Sequence, residues 1–349
     1  MTAIPRRSVA LLPLPNALQH LLMACGYRTT ADFDGISSPA LAHTSGIPLE
    51  DASAVLQMAQ GHLHNGSVQG ERSARALLEE RPMRRIITFC SDVDQILGGG
   101  VALGQLTELC GVPGVGKTQL GMQLAVDVQI PYAFGGLGGT AVYIDTEGSF
   151  AVERVEQVAE ACMRHLQKLA ASPNGTSQQA DAVSCMDKEG MLANIHLFRV
   201  TELAQQMTLS NELDLFISQH PLVKLVVFDS VTFHFRQDSR DLAQRARVLA
   251  GLAQCLTRLA AQRRLAVVIM NQVTTKVSDN DSSHLIPALG DSWAHASATQ
   301  VLLSFQDGTR QARIYKSPSL PERTAEYLIT ADGVRGRRTP KRPRPDPAA

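Results

Sequence analysis

No sign of charge predominates in this chain of 349 residues: Lys and Arg number 33, as do Asp and Glu. That balance excludes a uniform basic field, so a nucleic-acid partner must be met by local basic patches. Cysteine is present but unorganised. The six thiols, Cys25, Cys90, Cys110, Cys162, Cys185 and Cys255, form no C-x-x-C pair. A zinc or disulfide framework is therefore not expected, and a reducing compartment fits better. Apolar runs of membrane length are missing, so no membrane partner is expected. Arg6-Arg7 followed by Val9 to Leu14 faintly resembles a signal peptide, but Pro13, Pro15, Asn16, Gln19 and His20 interrupt it. The length suits one large α/β core with a small appended module.

What is present is concentrated between residues 111 and 118. Gly111, Val112, Pro113, Gly114, Val115, Gly116, Lys117 and Thr118 spell a complete G-x-x-x-x-G-K-[ST] phosphate loop, with Gln119 next. A strand-like run (Gln105 to Cys110) precedes it and a helical pattern (Gln119 to Val128) follows. That context disfavours the alternative of a glycine-rich turn with a surface lysine. Glycines let successive backbone N–H groups converge, and the helix adds the positive end of its dipole. Lys117 is expected to reach the β- and γ-phosphates, and the Thr118 hydroxyl to bind Mg²⁺.

Patterning divides the chain into a small helical unit (1–62), a linker (63–84), a large core (85–333) and a basic tail (334–349). In the first unit Ala17 to Met23 and Leu49 to Met58 read as helices, and Ser37-Ser38-Pro39 as a helix start. Two short helices around Ser45-Gly46-Ile47-Pro48 suggest a helix-hairpin-helix. Such a unit can hold DNA phosphates through backbone N–H groups or serve protein contact. The linker carries one short helical piece, Ala74 to Glu80.

In the core, strand-like runs (Ala141 to Asp145, Ile195 to Val200, Leu222 to Asp229, Leu265 to Met270) alternate with helical patterns, the longest from Asp241 to Gln262. That alternation predicts a mostly parallel sheet with ligands at the strands' carboxyl ends. Ser172 to Glu189 is polar and aperiodic and reads as a surface loop, while Gln300 to Thr330 reads as shorter strands in an antiparallel extension. The tail sets Arg335, Arg337, Arg338, Lys341, Arg342 and Arg344 among Gly and Pro. It is expected to be disordered. Arg337, Arg338, Lys341, Arg342 and Arg344 are candidates for a nuclear localisation signal, the alternatives being a solvated tail or non-specific DNA contact.

Three strand ends fall where the fold would bring them beside the phosphates. Glu147, in Asp145-Thr146-Glu147-Gly148, is the candidate to polarise the attacking water. Asp229, closing Leu225 to Phe228, is the candidate second ligand of the Mg²⁺ shell. Gln272, after Val267 to Asn271, is the candidate sensor of the γ-phosphate. Singly, each is also readable as a strand-end cap; their order after the phosphate loop joins them into one constellation.

These strings resemble the RecA-type recombinase family: G-V-P-G-V-G-K-T at 111, D-T-E-G-S-F at 145, L-V-V-F-D-S at 225 and N-Q-V at 271. A-H-A-S at 294 and S-P-S-L-P-E at 317 match the eukaryotic branch, and I-I-T-F-C-S at 86, I-L-G-G-G-V at 96, Q-L-A-V-D-V-Q-I-P at 123 and Y-K-S-P-S at 315 narrow the likeness to a paralogue of the eukaryotic strand-exchange recombinase. The resemblance covers nearly the whole chain. It implies a RecA-like P-loop ATPase core in the α/β class with a small all-α N-terminal domain. It also implies ATP and Mg²⁺ as cofactors, two loops that contact single-stranded DNA, and action in the nucleus with a cytoplasmic share.

The same resemblance assigns Arg154 to adenine stacking. It places the first DNA loop at about Ser230 to Arg247, with Arg236, Arg240, Arg245 and Arg247 as phosphate contacts. The second runs from about Thr274 to Asp291, with Lys276. For the arginines, a solvated helix face is the alternative. Departures are equally informative. The first loop lacks a glycine-rich insert, and the second has no aromatic residue to stack a base. The linker has no F-x-x-A self-assembly motif.

These differences suit a paralogue that works with its sisters in a hetero-oligomer, and the set Lys117, Thr118, Glu147, Asp229 and Gln272 points to a DNA-dependent ATPase subunit of it. Such a subunit would bind single-stranded or branched DNA, assist filaments of the strand-exchange recombinase and help process junctions in double-strand-break repair. A non-catalytic scaffold that uses ATP as an interface ligand is the rival. A ring helicase or clock-type ATPase is disfavoured by the N-terminal unit and the single phosphate loop.

Overall fold

A computed structural model of the chain describes residues 8–12, 14, 16–61, 84–237, 242–277, 283–289, 293 and 297–337. The chain divides into two compact units, Met1–Pro82 and Met83–Ala349. In the first, helices Asn16–Ala24, Ser38–Ser45 and Leu49–Gly61 close around Leu22, Phe33, Leu41 and Val55, all buried. Ser37 stands at the N-cap with Pro39 in the first turn, although its hydroxyl makes no capping hydrogen bond. Gly46 ends that helix at φ 64, a left-handed conformation that a residue without Cβ adopts cheaply. The linker's helical piece lies outside the described residues.

The second unit opens with a two-stranded pair, β1 (Arg85–Ile86) and β2 (Val101–Ala102). Its main sheet contains β3 (Leu106–Gly111), β4 (Thr140–Asp145), β5 (Ile195–Arg199), β6 (Val223–Asp229) and β7 (Ala266–Asn271). A hairpin, β8 (Val273–Val277) with β9 (Ser283–Pro287), follows. The main sheet then gains β10 (Thr299–Gln306), β11 (Thr309–Lys316), β12 (Thr324–Thr330) and β13 (Gly333–Arg335). The nine strands lie in the order β13-β12-β11-β10-β3-β7-β6-β4-β5. From β10 to β5 neighbouring strands are parallel; from β10 to β13 they are antiparallel. The mostly parallel sheet and its antiparallel extension are thus both present.

The central strands are largely apolar because both faces are covered. Ala141, Tyr143, Leu225 and Val227 belong to one core, with helices Lys117–Asp127 and Val152–Ala170. Their neighbours Val142, Ile144, Val226 and Phe228 belong to the other, with helices Leu203–Gln219 and Leu242–Arg263. Period-two alternation sorts a uniformly apolar run onto two faces, and each fully buried large side chain contributes about 1.5–3 kcal/mol. Among the described residues no helix is long and apolar enough to cross a membrane.

Two expectations are overturned. The tail expected to be disordered from 334 begins inside β13, where Val334 is fully buried and Arg335 lies over the Phe89 ring. The stretch 172–189 is not a loop: it holds helix Ser177–Ser184, and helix Lys188–Ala193 begins near its end. The first carries no buried residue, so apolar periodicity could not reveal it. Its start is fixed by a capping box, in which the Thr176 hydroxyl accepts from Gln179 N–H and the Gln179 side chain accepts from Thr176 N–H. Asp187 caps the second by accepting from Gly190 N–H.

Helix Lys117–Asp127 ends on a buried acid. Asp127 is 2% exposed, and its two carboxylate oxygens accept from the Gln123 amide at 2.8 and 2.9 Å. Burial pushes its carboxyl well above the ordinary value, with the Gln123 amide and the charge of Arg335 pulling part of the way back. The native state keeps a proton that the unfolded chain releases above about pH 3.9. Stability is therefore expected to fall as pH rises from there towards the raised folded value. Asp127→Asn removes that slope. Urea midpoints at pH 5 and pH 8 check it, and a stability difference between variant and parent that stays constant with pH would count against a buried proton.

Candidate functional site

The phosphate loop connects β3 to helix Lys117–Asp127. Gly114 and Gly116 both have positive φ, 78° and 111°. A Cβ on Gly116 would also come within 2.4 Å of the Ile329 side chain, and one on Gly111 within 2.7 Å of the Leu303 carbonyl. The loop is therefore shaped by close approach as well as by turn geometry. Lys117 Nζ donates to the carbonyls of Gly111 and Val112 at 2.8 and 3.1 Å. The ammonium is held across the mouth of its own loop.

A cleft of about 660 Å³ lies over this loop. Of the loop residues, Pro113, Gly114, Gly116, Lys117 and Thr118 line it, and Gln119 joins them. Gly111 ends its strand in the core, and the Val115 side chain is fully buried below. Glu147, Asp229 and Gln272 line the same cleft. Their strands β4, β6 and β7 lie side by side next to β3, so four adjacent parallel strands present their carboxyl ends to one space. That is the crevice where open α/β sheets bind ligands.

The two acidic strand ends are laced together. Thr146 N–H donates to Asp229 O at 2.9 Å, and Ser230 N–H donates to the Thr146 hydroxyl at 2.8 Å. The Ser230 hydroxyl donates to Glu147 Oε1. Asp145 accepts from the backbone N–H groups of Gly148, Ser149 and Phe150 and pairs with Arg199 at 2.8 Å. Asp145 thus builds the turn, while Glu147 is left exposed in the cleft.

Asp229 is 2% exposed and accepts from the Tyr143 hydroxyl at 2.8 Å. Burial raises its carboxyl above the ordinary value; hydrogen bonds with Thr118 and Tyr143 lower it, and the charges of Glu147 and Asp145 raise it again. A cation beside it would relieve that cost. One carboxylate and one hydroxyl are a donor set that suits Mg²⁺, which takes few protein ligands and completes its shell with phosphate and water. Among the described residues no cluster of three or more His, Cys, Asp or Glu forms a dedicated metal cage. A glycine cradle, a lysine and this donor pair together fit a nucleoside triphosphate with Mg²⁺.

Arg154 lines the cleft's far side. It donates to Gln119 Oε1 at 2.7 Å and to the carbonyls of Thr330 and Ala331 at 2.6 and 2.7 Å. The turn between β12 and β13 is thereby bound to the helix after the phosphate loop. Sequence reasoning missed this whole wall: Arg310, Ile329, Thr330 and Ala331 line the cleft, and Tyr327 donates to Val115 O at 2.9 Å. No linear signal marks them, since they follow the loop by roughly two hundred residues in sequence.

Glu108 was also missed. It is fully buried in β3 and accepts four hydrogen bonds: from Asn271 Nδ2 at 2.6 Å, Trp293 Nε1 at 3.1 Å, Ser297 Oγ at 2.9 Å and Gln300 Nε2 at 2.8 Å. The available signal was a lone acid inside the apolar strand that runs into the phosphate loop. The network seats Asn271, the neighbour of Gln272.

The expected DNA contacts do not gather in the cleft. The first expected loop is largely helical among the described residues: Phe233–Gln237 carries Arg236, and Leu242–Arg263 carries Arg245 and Arg247. Arg247 is exposed and Arg245 half-buried. Arg240 lies outside the described residues. Lys276 sits on β8, and among the described residues most of the second expected loop lies on the paired strands β8 and β9. Arg337 is exposed and reaches Glu326 at 3.3 Å; Arg338, Lys341, Arg342 and Arg344 lie outside the described residues.

A family model described as Rad51 matches residues 80–172 and 170–337. The chain is 43% identical over 342 residues to the DNA repair protein RAD51 homolog 3 of Cricetulus griseus, covering 95% of this chain and 92% of that protein. To the protein of the same description from Dictyostelium discoideum it is 42% identical over 252 residues, 72% of this chain and 65% of that protein. To the DNA repair and recombination protein RadA of Aeropyrum pernix it is 32% identical over 320 residues, covering 90% and 92%.

Proposed function

The chain belongs to the Rad51 family of RecA-type recombinases, on the branch of the RAD51 homolog 3 paralogues, and from that premise we propose that it is an ATP-dependent subunit in homologous-recombination repair. Members of the family are ATPases and act on DNA in repair, which fits a nuclear protein. Our reading gives this chain ATP turnover of its own, stimulated by single-stranded DNA and completed in a hetero-oligomer of sister paralogues that assists recombinase filaments and junction processing.

The observation that carries this reading is the convergence of Lys117, Thr118, Glu147, Asp229 and Gln272 on one cleft. In it the loop N–H groups and Lys117 hold phosphate oxygens, and Thr118 and Asp229 hold Mg²⁺, which supplies charge neutralisation at the phosphates when bound. Glu147, steadied by Ser230, orients and polarises water. Gln272 answers to the terminal phosphate. Arg154 supports the base side. Arg236, Arg240, Arg245, Arg247 and Lys276 are the proposed DNA contacts, and Arg337, Arg338, Lys341, Arg342 and Arg344 the proposed nuclear signal.

The test is phosphate release by the purified chain and by its complex with co-expressed paralogues, each with and without single-stranded DNA. Turnover in the complex that DNA stimulates is expected. A second reading, a scaffold in which ATP is a structural ligand, is favoured by one observation: Trp293, the aromatic nearest the second expected DNA loop, is buried and bonded to Glu108, so it offers no stacking face. Tight ATP binding with no turnover in any assembly would decide for that scaffold.

A further inference from the structure

Arg310 is a cation that lines the cleft and pairs with no anion among the described residues. It sits on β11, paired in register with Phe305 on β10 and with Tyr327 on β12. Register partners share a sheet face, and Tyr327 fixes which face this is, because its hydroxyl reaches the phosphate loop at Val115 O. The Arg310 guanidinium lies over the Phe305 ring at 5.0 Å from its centre and lines the same cleft as Lys117 and Asp229. Its Nε is buried with no hydrogen-bond partner, and Arg310 forms no ion pair among the described residues.

Enclosing a guanidinium N–H without an acceptor is costly, and a fork of donors on an aromatic platform is the usual protein device for gripping phosphate oxygens. Among the described residues no carboxylate pairs with it, and Glu326 on the neighbouring β12 is engaged by Arg337. We propose that Arg310 is a second phosphate-binding cation of the nucleotide site, supplied by the chain's own β10–β11 hairpin, with Phe305 as the platform that holds it. The inference rests on the reading of the cleft as a nucleotide site. It gives the antiparallel extension a ligand-binding role: one cation comes from the phosphate loop and the other from the wall that packs against it.

The experiment uses the full chain and measures displacement of methylanthraniloyl-ADP by ATP and, separately, by adenosine, with Mg²⁺ present. Arg310→Gln is expected to weaken ATP by about ten- to a hundredfold and to leave adenosine unchanged. Arg310→Lys should recover part of the ATP affinity through charge alone, and Phe305→Leu should give a smaller loss. Thermal midpoints without nucleotide verify that each variant is folded. Equal weakening of ATP and adenosine would make Arg310 a structural residue and overturn the proposal, as would an unchanged ATP affinity in Arg310→Gln. Failure of the parent chain to bind ATP, or equal binding by Lys117→Ala, would instead remove the nucleotide reading, and the proposal with it.

Discussion

Lys117→Ala is expected to lower ATP hydrolysis by the assembled complex at least a hundredfold. The ammonium is held 2.8 and 3.1 Å from the carbonyls of Gly111 and Val112, so it lies at the loop's mouth in advance of any ligand. A preorganised donor of this kind acts without reorganisation when charge develops, and removal of one costs roughly a hundred- to a thousandfold. The partner experiment is Glu147→Gln. Its carboxylate is held by the Ser230 hydroxyl and exposed in the cleft, and the amide keeps the shape but not the basicity. Binding should survive while turnover falls by about a hundred- to ten-thousandfold. Phosphate release and fluorescent-nucleotide titration on the same preparations read the two effects apart. Hydrolysis unchanged in Lys117→Ala would sink the assignment of the site, and hydrolysis unchanged in Glu147→Gln would sink that of the base.

The second large effect falls on stability. Glu108→Ala is expected to destabilise the second unit by about 3–5 kcal/mol, because it leaves four buried donors facing a void. The donors belong to Asn271, Trp293, Ser297 and Gln300. Those residues lie at the end of β7, on β10 and in the segment between, so the carboxylate closes β3 onto both its neighbours. Glu108→Gln preserves volume but turns one acceptor into a donor, and should recover only part of the loss. Urea unfolding with unchanged slope measures both. A cost below about 1 kcal/mol for Glu108→Ala would mean that water or repacking replaces the carboxylate.

The parts of this site that the sequence announces are those that occur as short strings at strand ends. The phosphate loop, Glu147, Asp229 and Gln272 each follow an apolar run, and parallel packing of those runs is enough to bring them together. Helix Ser177–Ser184 was hidden because it buries no residue, although the capping box of Thr176 and Gln179 was a legible signal. Glu108 and Tyr327 were hidden for another reason. Each acts across a sheet, on a residue whose distance in sequence no periodicity encodes: Glu108 and Gln300 are 192 positions apart. The same holds for Arg154, whose place by the phosphate loop the resemblance supplied but whose hydrogen bonds to Thr330 and Ala331 depend on where β12 ends.

The wall formed by Tyr327, Ile329 and the β12–β13 turn has a consequence for synthesis. Tyr327 is 212 residues beyond Val115, the loop residue it holds. At about 5–20 residues per second, a ribosome needs roughly ten to forty seconds to make the intervening chain. Throughout that interval the nascent protein carries a complete phosphate-binding motif with one side open. The site closes only when the last strands are released and folded. Premature termination after Gln272 but before residue 327 therefore yields a polypeptide that contains every recognisable catalytic string and still lacks a walled pocket. For such truncated alleles, the presence of the motif in the translated product is no guide to whether nucleotide is held.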